Sequence, residues 1–355
     1  MNHFTPELPK LAHINTDLLE QIQEKIDQKT KPIGSLGYLE DLAMQVCLIQ
    51  GSIQAEDLNP SFLLFAGDHG LAQAGVSPYP QQVTTQMMLN FLRGGAAINV
   101  FCKQHDVELN LVDCGILEKI DHPKIISRRL GHTTKNMLHE PAMTWEQLRR
   151  GFTNGMELAQ NLHDSGVNTL GLGEMGIGNS SSACLISAKL LDRPISELIC
   201  AGAGCDSKAL IRKQQILEEL AVKYANVSQA WEIMRTFGGF ELVTALGAMF
   251  TAAQNRMLIL VDGFIMSSVA LLAVRLDPQI RNYMIFCHES ASKGHHWILA
   301  ELHARPILQL DMRLGEGSGA ALALPILQSA MAFYRDMASF AEAEVSKASK
   351  EESDV

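Results

Sequence analysis

The chain has 355 residues, 47% apolar and 19% charged, which fits one large domain or two modest ones and excludes a disordered, collagen-like or coiled-coil chain. Twenty-nine Lys and Arg against 39 Asp and Glu give a net charge of -10. Nothing overall therefore attracts nucleic acid or an anionic lipid surface, and an anionic substrate needs a local positive site.

The N-terminal residues lack the basic start and apolar run of a signal peptide, and no uncharged apolar stretch reaches the roughly 20 residues that span a bilayer. The seven cysteines are scattered and form no C-x-x-C pair, which disfavours disulfide frameworks and zinc knuckles. The expected setting is cytoplasmic and reducing, with no membrane and no nucleic-acid partner. Thr16 is placed to cap a first helix whose Leu18, Leu19, Ile22 and Ile26 share one face. A second helix carries Leu36, Leu39, Leu42, Ala43, Val46 and Ile49 as a stripe.

From residue 60 the texture changes to short apolar runs ending in Gly or an acid: 62–66, 109–112, 167–172, 198–201, 257–261 and 283–286. Helical patterns at 86–101, 181–191, 207–224 and 266–276 lie between most of them. The alternation predicts an α/β fold with a mainly parallel sheet covered on both faces, whose ligands bind at the carboxyl ends of the strands. The segment 342–355 is small, charged and poor in apolar residues, so it is expected to be disordered.

Four constellations follow the apolar runs. The first, Gly171 to Ser182, lies between a strand and a helix and offers backbone N–H groups at a helix N-terminus, a phosphate cradle. Gly171, Gly173 and Gly176 also satisfy G-x-G-x-x-G, which keeps a dinucleotide-dependent dehydrogenase open. The acid that such a site needs about 20 residues on is replaced by Gly202 to Gly204. The second, Gly202 to Asp206, is followed by Lys208, Arg212 and Lys213, any one of which could neutralise a phosphate. In the third, Glu316 stands between Gly315 and Gly317, open to close approach; either low-dielectric walls raise its pKa toward neutrality, as a general base requires, or it merely complements the dipole of the helix that follows. The fourth is Asp68-His69, suited to acid–base or metal work or to self-bonding in a loop, followed by Tyr79, Gln86, Met87 and Met88, which suit a flat aromatic ligand. His295 and His296 have no acid or cysteine at ligand spacing, so no metal site is expected.

The blocks Lys31–Glu40 (KPIGSLGYLE), Ala66–Gly70 (AGDHG), Gly75–Ser77 (GVS), Phe91–Val100 (FLRGGAAINV), Gly173–Ser180 (GEMGIGNS), Phe237–Glu241 (FGGFE), Val261–Phe264 (VDGF) and Leu310–Gly319 (LDMRLGEGSG) occur in that order. Together they resemble the nicotinate-nucleotide dimethylbenzimidazole phosphoribosyltransferase family. The resemblance implies a Rossmann-like large domain, a small helical domain from both chain ends, and a homodimer without a cofactor. In chain terms this means N-terminal helices over 1–58, an α/β domain over 59–305, and the glutamate loop with C-terminal helices over 306–341.

The implied reaction moves the 5-phosphoribosyl group from nicotinate mononucleotide to 5,6-dimethylbenzimidazole with inversion, Glu316 acting as base. By the same resemblance Tyr79, Gln86, Met87 and Leu314 line the benzimidazole pocket. Glu174, Gly176, Gly178, Asn179, Ser180, Gly202, Gly204, Asp206, Lys213 and Asp262 bind the nucleotide. A dehydrogenase and a non-catalytic nucleotide-binding module remain the competing readings.

Overall fold

A computed structural model describes residues 5–199 and 207–346. The chain divides into two compact units, the larger from residues up to Ala12 and from Asn59 to Ala323, the smaller from His13–Leu58 and from Leu324 onward.

In the smaller unit α1 (Leu19–Asp27) buries Ile22 and Ile26, and α2 (Tyr38–Gln50) buries Leu42, Ala43, Val46, Cys47 and Ile49. The first cap differs from expectation: Asn15, not Thr16, accepts from the Asp17 N–H, because Thr16 opens a 3-10 turn before α1. Both ends of the chain are tied here by buried polar groups. Lys29 Nζ donates to the Met337 carbonyl at 2.5 Å, and Tyr334 Oη donates to that of Ile53 at 2.8 Å.

The larger unit holds a six-stranded sheet. In chain order its elements are β1 (Pro60–Gly67), α3 (Gln82–Arg93), α4 (Ala97–Gln104), β2 (Glu108–Gly115), β3 (Ile125–Ser127), α5 (Trp145–Asp164), β4 (Thr169–Met175) and α6 (Asn179–Leu191). They continue with α7 (Ile195–Leu198), α8 (Ser207–Lys223), α9 (Ala230–Phe237), α10 (Phe240–Gln254), β5 (Leu258–Val261), α11 (Phe264–Leu276) and β6 (Met284–Phe286). A two-residue pair, β7 (His288–Glu289) with β8 (Leu308–Gln309), flanks α12 (His295–Glu301), and α13 (Ser318–Asp336) follows. The sheet order is β3-β2-β1-β4-β5-β6 and every pairing is parallel. That is the doubly wound arrangement, in which the order reverses between β1 and β4 and opens a crevice above their carboxyl ends.

Three expectations need correction. The apolar run at 198–201 is not a strand over its described part: Leu198 ends the short helix α7, which Pro194 opens with φ -65°, and the remainder lies outside the described residues. The pattern at 86–101 is two helices, because Gly94 at φ +77° closes α3 before α4 begins. Residues 340–344 form a hydrogen-bonded turn in which Ser339 Oγ donates to Glu342 and Val345 N–H to the Phe340 carbonyl; residues 347–355 lie outside the described residues.

The core sits on both faces of the sheet. All of α10 from Phe240 to Ala253 is buried, packed against α5 so closely that no side chain fits at the crossing. A Cβ on Gly155 would fall 1.8 Å from the Thr244 carbonyl oxygen, and one on Gly247 would fall 1.9 Å from that of Phe152. Gly155→Ala is therefore expected to force the helices apart and cost about 3 kcal/mol, read as a lower urea midpoint without loss of the far-UV helix signal.

Candidate functional site

The crevice holds a cleft of about 770 Å³ within the larger unit. Its floor comes from the ends of β4 and β5, one wall from the residues between β1 and α3, and the other from the 290–293 and 313–316 loops.

Gly171 and Gly173 are strand residues of β4, where a Cβ would strike the Phe62 ring at 2.4 Å and the Glu316 carbonyl oxygen at 2.4 Å. The cradle expected over 171–182 is thus confined to 176–182, and the G-x-G glycines serve packing rather than a dinucleotide turn. Gly178, at φ +105°, caps α6, which opens at Asn179; the Asn179 and Ser181 N–H groups donate to the Gly176 and Gly178 carbonyls, so the Ser180 N–H is the one of this turn without an acceptor among the described residues. Asn179 Nδ2 donates to Glu174 Oε2 in a short hydrogen bond. Lys213, on α8 and nearly wholly buried, donates from Nζ to Ser180 Oγ at 3.0 Å. A buried ammonium beside a helix N-terminus is an arrangement able to hold an anion. Lys208 and Arg212 are exposed, so of the three candidate cations only Lys213 reaches the cradle.

Glu316 lies beside Glu174: a Cβ on Gly315 would fall 2.4 Å from Glu174 Oε1, while Glu174 Oε2 accepts from Asn179. Gly315, Glu316 and Gly317 have φ of +84°, +67° and +83°, and a left-handed residue that is not glycine, Asn or Asp marks strain stored at a site. The residue is 6% exposed, its Oε2 has no hydrogen-bond partner among the described residues, and burial, then the charge of Asp262, push its carboxyl up to about 7. Asp262, at the end of β5, accepts from the Ala320 N–H at 3.0 Å and the Gly317 N–H at 3.3 Å, so it fixes the glutamate loop to the start of α13. Burial raises Asp262, opposed by His288 3.8 Å away and by those N–H groups. Glu174 is raised well above the carboxylate range by burial first, then by Asp262, Glu241 and Glu316.

Tyr79, Met87 and Leu314 line the same cleft, together with Glu174, Gly176, Gly178, Asn179, Ser180, Lys213, Asp262 and Glu316. Gln86 does not: it is exposed on α3, where Val83 and Met87, four residues apart, present the face that lines the cleft. Gly202, Gly204 and Asp206 lie outside the described residues. Lining residues that sequence reasoning missed include Val83, Phe264, His288, Ser290 and Arg313. His288 and Ser290 follow β6 directly, so position after a strand was the available signal.

The Asp68-His69 pair is interior. Asp68 accepts from Thr84 Oγ1 at 2.7 Å and the Leu117 N–H at 2.8 Å, while His69 Nε2 faces Glu241 at 2.6 Å and its Nδ1 faces Ser182 Oγ at 2.9 Å. The pair braces α3, α6 and α10 behind the cradle and does not line the cleft.

His295 braces the far wall. Its Nδ1 accepts from the Ser290 N–H at 2.8 Å and its Nε2 meets Ser267 Oγ at 2.9 Å. Burial holds its pKa down to about 3, against about 6.5 in an unfolded chain. The folded protein therefore stays unprotonated there while the unfolded chain gains a proton, so this stability is full above pH 6.5 and shrinks as pH falls. About 2 kcal/mol is expected to be lost by pH 5. Urea titrations at pH 7.5 and pH 5 check this, since His295→Gln removes that part of the slope.

A family described as phosphoribosyltransferase matches residues 11–345. The nicotinate-nucleotide dimethylbenzimidazole phosphoribosyltransferase of Shewanella loihica is 46% identical over 335 residues, 94% of this chain and 98% of that protein. The enzyme of the same name from Ralstonia nicotianae is 46% identical over 340 residues, 95% and 96% of the two chains. The crystal structure of the nicotinate-nucleotide dimethylbenzimidazole phosphoribosyltransferase from Thermus thermophilus superposes with a TM-score of 0.88 at 37% identity, covering 94% of this chain and 100% of that one. With a match over nearly its whole length, the chain belongs to the nicotinate-nucleotide dimethylbenzimidazole phosphoribosyltransferase family and is a phosphoribosyltransferase.

Proposed function

We propose that this cleft transfers the 5-phosphoribosyl group of nicotinate mononucleotide to 5,6-dimethylbenzimidazole, with inversion at the ribose C1′ and Glu316 as general base. The observation that carries the reading is the unpartnered, buried Oε2 of Glu316, held near neutrality in the same cleft as Lys213 and the α6 N-terminus. A base with a pKa close to working pH is the kind that proton abstraction needs.

The donor's phosphate is held at the start of α6 by the Ser180 N–H and by Lys213, which meet it without reorganisation. Tyr79, Val83, Met87 and Leu314 offer apolar surface for the flat acceptor. One benzimidazole nitrogen attacks C1′ while the bond from C1′ to the pyridinium nitrogen breaks. The electron pair returns to that ring, which leaves as nicotinate and needs no acid. The other benzimidazole N–H passes its proton to Glu316, and the product is alpha-ribazole 5′-phosphate. Attack from the face opposite the leaving ring turns a beta bond into an alpha bond, so the two rings need separate places in the cleft.

A homodimer in a cytoplasmic setting belongs to the same proposal. The test is incubation with both substrates: nicotinate released together with a product of alpha configuration by proton NMR supports the reading, and binding without release of nicotinate overturns it. The dehydrogenase reading loses ground because the G-x-G glycines lie inside β4.

A further inference from the structure

The donor proposed above carries two negative groups, a phosphate and a pyridine carboxylate, and the cleft has carboxyl groups of its own in its floor. Glu316 must lose its proton to serve as the base, and once ionised it repels a second carboxylate placed beside it. That group of the leaving ring must face the rim. Apart from histidine, the lining among the described residues holds three cationic side chains, Lys213, Lys293 and Arg313. Lys213 sits at the cradle with Ser180, and Lys293 Nζ donates to the Ser196 carbonyl at 3.0 Å. Arg313 is exposed and has no hydrogen bond or ion pair among the described residues.

The wall around it is fixed. The Ala291 N–H donates to the Met312 carbonyl at 2.9 Å, so the residue before Arg313 is pinned to the 290–293 loop. That loop is held in turn by the Ser290 N–H to His295 and by Ser292 to Ser290. Three peptide units separate Arg313 from Glu316, which limits their Cα separation to about 11 Å. The cation and the base thus stand within one nucleotide's reach, on a single rigid stretch of chain.

We infer that Arg313 reads the leaving group: its guanidinium donates to the carboxylate of the departing pyridine ring and selects an acid over an amide at that position. The planar fork of arginine matches a carboxylate with two parallel donors, whereas a carboxamide turns one of its own donors toward it. The inference rests on nicotinate mononucleotide as the donor, and it makes Arg313 a specificity residue rather than part of the proton-transfer chemistry.

The experiment compares nicotinate mononucleotide with nicotinamide mononucleotide as donors to dimethylbenzimidazole, in the full chain and in Arg313→Met and Arg313→Lys. The unaltered protein is expected to favour the acid. In Arg313→Met kcat/KM for nicotinate mononucleotide should fall about tenfold, the lower end for a hydrogen bond to a charged group, mainly through KM. The amide donor should be unchanged, so the preference collapses, and Arg313→Lys should keep part of it. Equal losses with both donors, an unchanged ratio, or a ratio that follows Lys293→Met instead overturns the assignment to Arg313. Absence of turnover with either donor in the unaltered protein overturns the donor itself, and with it this inference.

Discussion

Glu316→Gln is expected to lower kcat by about 100- to 10,000-fold while donor affinity is kept, since the donor's phosphate is assigned to Lys213 and the start of α6. The change is isosteric, removes the proton acceptor and preserves the left-handed backbone. Rapid-quench turnover with a parallel binding titration checks it, and a variant that turns over at the normal rate would show that another group takes the proton. In the unaltered protein kcat/KM should rise with pH through about 7, where the buried carboxyl ionises.

The same variant carries a stability signature of opposite sign. The folded pKa is raised above the usual 4.5, so folding is weakened once the unfolded chain can ionise and the folded one resists. That cost is absent below pH 4.5 and complete above pH 7. Glu316→Gln should therefore stabilise the empty protein by about 1 to 2 kcal/mol at pH 8, with allowance for water at the cleft mouth, and by almost nothing at pH 4.5. A base kept poised in this way is a group whose removal helps the fold and ends the reaction.

Lys213→Met is the second large expectation. Losing a buried charge-assisted contact to phosphate should raise KM for the donor roughly 10- to 150-fold, and KM for dimethylbenzimidazole should stay in place. The pattern to look for is that selectivity between substrates: a loss in kcat alone, with both KM values unmoved, would remove Lys213 from the cradle. Ser180→Ala should give a milder version, because the hydroxyl that the ammonium meets at 3.0 Å orients it without adding charge.

Much of the sheet was legible because parallel strands buried on both faces read as continuous apolar runs. The strands β1, β2, β4, β5 and β6 fall on five such runs, whereas β3 is three residues with an exposed end and carries no run to read. A similar short apolar run misled at 198–201, where Pro194 starts a helical turn. The helix α10 was invisible for the opposite reason: buried on every side, it has no polar face and hence no period. By contrast α5 carried a readable start, since Thr144 and Gln147 form a capping box.

At the site, the glycines around Glu316 and the helix start at Asn179 stood out because few chemistries need such backbone. The cations separated only through burial, which placed Lys213 in the cleft and left Lys208 outside it. The helical face that excludes Gln86 and the rim position of Arg313 depend on tertiary placement, which no local pattern contains.

The strand order has a consequence for biosynthesis. The central strand β1 is finished at Gly67, but one of its two neighbours, β4, begins only at Thr169. At about 5 to 20 residues per second, a ribosome needs roughly 5 to 20 s to span that interval. Throughout it an apolar strand leaves the exit tunnel with one edge unpaired, the kind of surface that recruits a holding chaperone or a neighbouring nascent chain. The arrangement that opens a crevice for substrate thus makes the emerging polypeptide vulnerable until its middle third has been translated.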